Sequence, residues 1–191
     1  MRVLVGCERS GRVRDAFRER GHDAWSIDLV DTDAEEKNFH LIGDVLDEAI
    51  LRMPWDILIA HPPCRYLANS GVRWLYRWVD REKKMIGAAL FFRDILNLPI
   101  PKIAVENPII HGYAKELIGR GQDQIIQPWQ FGHGETKATC LWLKGLPLLK
   151  PTNIVEGREH RIHTMSPGKD RARKRAITYK GIAEAMAHQW G

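Results

Sequence analysis

The sequence predicts an α/β domain with a doubly wound, mainly parallel sheet, and two observations support this prediction. First, apolar runs typical of buried strands alternate along the chain with segments of helical periodicity. Second, polar, glycine-containing or proline-containing turns follow those runs, and ligands of such sheets bind beyond the carboxyl ends of the strands. A length of 191 residues with 44% hydrophobic residues suits one domain, residues 1–191.

Short apolar runs bounded by turn-forming residues predict the strands. In chain order they are RVLVG, HDAWSIDL, LIGDV, WDILIA, PKIAVENP, DQIIQPWQF and ATCLWLKGL. LIGDV brings the chain to an edge near Asp44, and WDILIA runs directly into His61. The last two runs are joined by GHGETK, so the second half of the domain is less regular than the first.

Three segments show the spacing of amphipathic helices. The first is capped by Ser10, buries Val13 and Phe17, and stops at Gly21. Residues 80–97 form the second helix, and YKGIAEAMAHQWG forms the last one. Between the last strand and the last helix, we expect residues 150–178 to be a basic, irregular segment punctuated by proline and glycine.

The cysteines, the N-terminal apolar run and the candidate metal ligands indicate where the protein works and which ligands it lacks. Cys7, Cys64 and Cys140 are widely spaced and odd in number, which favours a reducing, cytoplasmic location over a disulfide framework. The apolar run at the N-terminus is too short for a signal peptide or a membrane span, so no membrane partner is expected. The histidine and cysteine pairs lack a second pair at zinc spacing, so no metal site is predicted.

The net charge of +5 is modest, but its distribution is uneven. Between positions 158 and 180 the chain carries eight Lys or Arg residues against two acidic ones. Taken alone, such a run is a solvated connection. With other signs of nucleic acid binding, it becomes a candidate for contacting phosphates.

The turn after the first strand and the acids after the next strands suggest a nucleoside site. Gly6 and Gly11 bracket this turn, and glycines there serve either a tight strand-to-helix connection or a close approach to a ligand. Asp28 ends the second strand, where an acid binds ribose hydroxyls, and Asp44 is placed for an adenine amino group. Asp28 alone could equally belong to a surface loop.

Cys64 follows two prolines at the end of the strand WDILIA. A lone cysteine after a strand is usually a small buried residue. Pro62 and Pro63, however, restrict the backbone and remove two donors, so the turn projects the next side chain rigidly outward. This favours a nucleophile, with His61 either bonding to backbone or tuning the thiol.

Glu106 ends the otherwise apolar strand of PKIAVENP. A carboxylate in that position is costly without a partner or ligand. It either caps a helix that starts after Pro108, or its partial burial raises its pKa towards a range useful for proton donation.

In this order of motifs the chain resembles the cytosine-C5 DNA methyltransferases, and it is similar to short phage-type DNA methylase-like proteins over nearly its whole length. The matches are the turn 6–11, Asp28, Asp44, Pro62-Pro63-Cys64 and Glu106-Asn107. The first turn reads VGCERSG rather than Phe-x-Gly-x-Gly, and GHGETKAT stands in place of Gln-Arg-x-Arg. No target-recognition domain of ordinary size fits between Lys144 and Tyr179.

The resemblance implies a Rossmann-like S-adenosylmethionine-dependent methyltransferase fold, with S-adenosylmethionine as methyl donor and DNA cytosine as acceptor. Cys64 would be the nucleophile, and Glu106 would bind or protonate N3 of the base. The implied cofactor contacts are Gly6, Cys7, Glu8, Ser10, Gly11, Asp28, Leu29, Asp44, Val45 and Pro62. The implied substrate contacts are Pro63, Asn107, Lys137, Arg171, Arg173, Lys174 and Arg175.

Two alternatives stay open at this point. The missing recognition domain also suits an enzyme of similar chemistry that acts on a free or modified pyrimidine nucleotide or uses a modified cofactor. A buried, inert Cys64 would instead favour a catalytically weak nucleic-acid-binding protein.

Overall fold

A computed structural model describes residues 1–191 and shows one seven-stranded sheet between two layers of helices. The strands are β1 (Arg2–Gly6), β2 (Asp23–Asp28), β3 (His40–Ile42), β4 (Ile57–Ala60), β5 (Lys102–Asn107), β6 (Gln124–Ile126) and β7 (Thr139–Lys144). The helices are α1 (Arg12–Glu19), α2 (Glu48–Leu51), α3 (Arg81–Leu96), α4 (Gly112–Ile118), α5 (Arg161–Thr164), α6 (Arg171–Ala176) and α7 (Lys180–Trp190).

The sheet has the order β3-β2-β1-β4-β5-β7-β6. The five strands from β3 to β5 are parallel, as predicted. Strand β7 runs antiparallel to both β5 and β6, so the sheet is mixed rather than parallel throughout. The strand order reverses direction between β1 and β4, and the carboxyl ends of these strands frame the crevice where ligands of such sheets bind.

The two faces of the sheet bury separate apolar clusters because successive side chains of a strand point to opposite sides. Leu4 and Leu58 pack on the face covered by α3, together with Phe92 and Trp142. Val3 and the rest of the opposite face pack under α1 and α7. This double cover explains why strands β1, β4 and β5 read as continuous apolar runs.

The predicted helices lie close to the observed ones, with differences at their ends. The helix predicted for 80–97 is α3, which follows the 3-10 helix Asn69–Trp74. In the segment 150–178, the chain forms the short helices α5 and α6. None of the helices combines the length and apolarity needed to cross a membrane.

Ser10 does not cap α1 as predicted. The N-cap position belongs to Gly11, whose φ of 67° is left-handed. The carboxylate of Glu8 accepts hydrogen bonds from the backbone N–H groups of Val13 and Arg14, at 2.7 and 3.2 Å. Glu8 satisfies these free amides because its carboxylate favours the positive end of the helix dipole.

Candidate active site

Cys64 lies in a turn that is fixed from both sides. Pro62 is buried beneath it, and the side-chain amide of Asn107 donates a hydrogen bond of 2.8 Å to the Pro62 carbonyl oxygen. On the other side, the backbone N–H groups of Leu67 and Ala68 donate to the carbonyl oxygen of Cys64. Cys64 itself is exposed, so the interpretation as a buried structural cysteine is wrong.

Asn107 anchors the turn that carries Cys64. Only 1% of the residue is exposed, and its side-chain N–H group is directed at the backbone of Pro62. Its Oδ1 atom has no partner in the protein, and the contact of Asn107 with a substrate stays a prediction.

Glu106 at the end of β5 is paired with His61 at the end of β4. The Nδ1 atom of His61 lies 2.8 Å from Oε2 of Glu106, and the two side chains are only 11% and 10% exposed. Helix α4 is capped by the His111 side chain, so the interpretation of Glu106 as a helix cap is wrong. The two strand ends meet as predicted because β4 and β5 are parallel neighbours, with Ala60 opposite Val105.

The protonation of Glu106 also differs from the expectation. Burial acts to raise its pKa, but the hydrogen bond from His61 and the positive charge of Lys137 outweigh burial and hold the pKa below the ordinary value. The expected rise in pKa from partial burial is therefore wrong for the free protein. Glu106 is a carboxylate at neutral pH, with His61 beside it.

The Cys64 thiol has a raised pKa. Partial desolvation within the turn and the negative charge of Glu106 raise it, while Lys137 and Arg175 act in the opposite direction. The free protein therefore holds Cys64 mainly as the thiol at neutral pH. Glu106, Lys137 and Arg175 therefore lie close enough to Cys64 for their charges to act on it.

A small recess adjoins Glu106 between the sheet and the start of α7. It is lined by Glu106, Lys137, Thr139, Thr178, Tyr179 and Ile182. The hydroxyl of Tyr179 donates to the carboxylate of Glu135 at 2.7 Å, which holds the start of α7 against the loop before β7. The recess brings a carboxylate and a lysine together, but in this conformation it is too narrow to admit a water molecule.

A second, larger cavity of about 450 Å³ opens at the carboxyl ends of β1 and β2. Five predicted cofactor contacts line it: Cys7, Asp28, Leu29, Asp44 and Val45. Pro63 lines it as well, although Pro63 was predicted to contact the substrate and the buried Pro62 to contact the cofactor. The structure reverses the two prolines, because Pro62 points into the protein.

The far wall of this cavity was missing from the sequence prediction. It consists of Tyr66, Lys84, Gly87, Ala88 and Phe91, mostly on α3. Only Gly87 could have indicated this wall from the sequence, since a glycine inside a helix often has a packing or functional reason. The other four could not be found from sequence, because their place depends on how α3 packs against the sheet.

Four other predicted cofactor contacts do not line the cavity. The carboxylate of Glu8 is engaged by α1, and Ser10 lies beside it. A Cβ atom on Gly6 would meet Val45 at 2.8 Å, and one on Gly11 would meet Ala34 at 2.7 Å. These two glycines are therefore required first by packing of the protein against itself.

Four of the five basic residues predicted to bind substrate lie on α6; the fifth, Lys137, lines the recess. Arg173 reaches Asp33 in the loop after β2, at 3.4 Å, and Asp33 also binds Arg9. Arg171 donates to the carbonyl oxygen of Met165, while Lys174 is exposed. The charge of Arg175 acts on Cys64, so α6 lies beside the mouth of the candidate site. No cluster of three or more His, Cys, Asp or Glu side chains has the geometry of a metal site.

Comparison with known proteins gives a likeness of fold. No family model and no curated protein sequence matches the chain. A solved structure assigned as a DNA modification methyltransferase encoded within an E. coli prophage matches with a TM-score of 0.51 at 15% identity, over 82% of this chain and 52% of that one. The chain thus spans about half the length of that protein. At this identity the likeness shows the fold alone, a Rossmann-like α/β sheet.

Two further structures resemble the chain more distantly. The Entamoeba histolytica methyltransferase EhMeth matches at 16% identity with a TM-score of 0.49, over 88% of this chain and 60% of that one. The S. pombe Dnmt2 methyltransferase matches at 15% identity with a TM-score of 0.48, over 87% of this chain and 54% of that one. At these TM-scores the two likenesses carry no argument of their own.

Proposed function

We propose that the chain is an S-adenosylmethionine-dependent methyltransferase that modifies C5 of cytosine in DNA through a covalent adduct of Cys64. The observation that carries this proposal is the arrangement at two neighbouring strand ends. An exposed cysteine follows β4 on a rigid turn, and a buried, ionised Glu106 ends β5 beside it. The prophage protein of similar fold, assigned as a DNA modification methyltransferase, supports the substrate class.

The large cavity fits a nucleoside-containing cofactor. Its volume of about 450 Å³ lies within the range of small-molecule sites, and apolar side chains form most of its walls. Asp28 is suited to ribose hydroxyls and Asp44 to an adenine amino group. Lys84 adds a positive charge opposite these acids, which suits a ligand that carries charges of both signs. S-adenosylmethionine, when bound, supplies an electrophilic methyl group.

The residues around the recess supply what cytosine needs. C5 of cytosine is a weak nucleophile, so the sulfur of Cys64 first forms a bond to C6, and the electron pair of the C5–C6 double bond becomes available at C5. The thiol proton passes by way of the Glu106 carboxylate to N3, and it returns by the same route when the thiolate leaves. Glu106 also accepts from the amino group of the base, and Lys137 offers a donor for the ring carbonyl oxygen. After C5 has been alkylated, loss of its proton and breakage of the bond between sulfur and C6 release the base and Cys64.

DNA fits the charge around the site. C5 and C6 lie within the stacked duplex, so the base must rotate out of the helix before Cys64 can reach it. Arg175 on α6 lies near Cys64, and its exposed neighbour Lys174 adds a second charge, so the two are suited to hold the phosphates of the displaced strand.

The proposal is tested with DNA that contains 5-fluorocytosine, because fluorine cannot leave C5 as a cation and the adduct stays trapped. We expect the wild-type chain with S-adenosylmethionine to form a complex that survives denaturing electrophoresis. Cys64→Ala should form none, whereas Cys140→Ala, which removes a buried cysteine, should still form it. Mass spectrometry of nucleosides from ordinary DNA should show the gain of one methyl group on cytosine.

Other results would change the proposal in defined ways. Trapping with a free cytidine nucleotide but not with DNA would assign the chain to nucleotide modification. DNA binding without any trapping would leave a nucleic-acid-binding protein and exclude the covalent mechanism.

A further inference from the structure

His61 is the residue at the site for which the proposed chemistry gives no role. It follows β4 directly, and its Nδ1 atom lies 2.8 Å from Oε2 of Glu106. Both side chains are about nine-tenths buried. The contact joins the ends of two different strands, so it exists only when β4 and β5 are in register.

The second ring nitrogen of His61 indicates that the residue is not there for packing. Nε2 is buried and has no hydrogen-bond partner. An unpartnered buried polar atom costs about 1–3 kcal/mol, and an apolar residue of similar size would avoid that cost. The imidazole therefore needs a reason other than filling space, and its only hydrogen bond is to Glu106.

The groups that face His61 favour its protonated form. Burial acts to lower the pKa of His61, but the hydrogen bond and charge of Glu106 and the charge of Glu8 in the turn after β1 outweigh burial and Lys137. The pKa is therefore raised. Since the pKa of Glu106 is lowered, the two shifts together favour a pair of imidazolium and carboxylate.

The hydrogen bond leaves one oxygen of Glu106 free. Oε2 is held by His61, whereas Oε1 has no partner in the protein and is not shut off from solvent. The fixed carboxylate thus presents one oxygen to the recess that contains Lys137 and Thr178.

We propose that His61 is a positioning residue for Glu106: its N–H group fixes the carboxylate through Oε2, and its positive charge offsets the negative charge that Glu106 exerts on Cys64. Binding of a cytosine base by the free Oε1 atom of Glu106 rests on the proposed function. The effect on Cys64 is a property of the free protein, so it is measured without substrate.

The test measures the rate at which iodoacetamide alkylates Cys64 between pH 6 and pH 10, with the modified peptide identified by mass spectrometry. The other cysteines are poor targets, because burial raises the pKa of Cys7 to about 12 and that of Cys140 to about 11. His61→Asn keeps a donor for Glu106 but removes the charge. We expect alkylation of this variant to be about three- to ten-fold slower at pH 6 to 7, where His61 carries its charge. The difference from the wild type should disappear as pH rises through the raised pKa of His61.

The same substitution in a Glu106→Gln variant separates the effect of the His61 charge from a general loss of order at the site. In Glu106→Gln the hydrogen bond and charge that raise the pKa of His61 are gone, so burial leaves His61 neutral, and adding His61→Asn should leave the alkylation rate nearly unchanged. His188→Asn, which changes an exposed histidine on α7, is the matched control and should behave as the wild type. Circular dichroism of each variant checks that it is folded.

The outcomes distinguish this inference from the proposed function. Identical alkylation profiles for folded wild type and His61→Asn would overturn the role of His61. Failure of wild type to trap 5-fluorocytosine would overturn the methyltransferase, and the alkylation result would still stand. If both hold, His61→Asn should lower kcat for methylation more than it changes KM for DNA.

Discussion

Gly11 joins the turn after β1 to helix α1 with a left-handed φ of 67°. The space where its side chain would be is filled, since a Cβ atom would lie 2.7 Å from the Cβ atom of Ala34 and 2.7 Å from Nη2 of Arg14. Arg14 cannot withdraw easily, because it is fully buried and donates to Ser26 and to the carbonyl oxygen of Glu36. The loop after β2 thus depends on this glycine.

Replacing Gly11 with alanine should therefore cost both backbone strain and overpacking, about 2–4 kcal/mol of the free energy of unfolding in water. Gly21 provides the matched control, because its φ of 82° is also left-handed but no atom lies within 4 Å of the position that an added methyl group would take. Gly21→Ala should lose only the strain, about 1–2 kcal/mol. Urea denaturation measures both, and equal losses would contradict the steric part of this explanation.

Single residues also mark how far the sequence predicts the site. Cys64 and Glu106 could be paired from sequence, because short motifs at the ends of parallel neighbouring strands must meet at one edge. The bond between His61 and Glu106 could not, since a histidine before two prolines has many possible partners. The bond from Asn107 to the Pro62 carbonyl oxygen could not be predicted for the same reason: a strand-end amide can face a ligand or the neighbouring turn.

Helix α3 contributes an element-scale feature, the wall of the large cavity. Gly87 lies within this 16-residue helix, and no atom lies within 4 Å of the position of an added Cβ atom. It also lines the cavity, so the open space beside it belongs to the proposed ligand. A larger residue at position 87 would therefore stabilise the helix but would also reduce the space in the cavity.

We expect Gly87→Ala to raise the free energy of unfolding by about 0.5–1 kcal/mol, because alanine favours the helix. The same methyl group should weaken binding of S-adenosylmethionine, measured by isothermal titration calorimetry. Gly112→Ala in α4 also adds a methyl group to open space but lies away from the cavity, so it should leave binding unchanged. Unchanged binding in Gly87→Ala would show that the ligand does not reach α3.

The reversed strand β7 is the element that the sequence described least well. Its apolar run predicted a strand, but the direction of a strand depends on its connections rather than on its composition. Helix α4 precedes β6, and a connection over residues 127–138, which contains the 3-10 helix Pro128–Gln130, then turns the chain back into β7. The antiparallel pairing places Lys137, just before β7, beside Glu106 on β5.

At the scale of the whole molecule, the pair of His61 and Glu106 links stability to pH. Glu106 has a lowered pKa, so its contribution is present above the ordinary value of 4.5 and is lost as pH falls through the lowered pKa. His61 has a raised pKa, so its contribution is complete below 6.5 and is lost as pH rises through the raised pKa. The pair therefore stabilises the fold most between these two limits.

The difference in free energy of unfolding between wild type and His61→Asn isolates the contribution of the His61–Glu106 pair, because the contributions of the other titrating groups are nearly the same in both proteins and cancel in the difference. We expect the difference to be largest between pH 4.5 and 6.5 and to shrink as pH rises further. Urea denaturation at intervals from pH 4 to pH 9 provides the measurement. A difference that grows with pH would mean that His61 is neutral in the folded protein.

The turn of Pro62 and Pro63 stands between the two hollows of the molecule. Pro63 faces the cavity lined by α3, and Cys64 follows it towards the recess beside Glu106. Because a stiff backbone separates the two compartments, substitutions in one wall leave the shape of the other largely intact. Substitutions of Phe91 should alter the choice of methyl donor, and substitutions of Thr178 should alter the choice of methyl acceptor. The effects of the two substitutions on the free energies of binding should then add, so that the two specificities can be altered independently in evolution or in the laboratory.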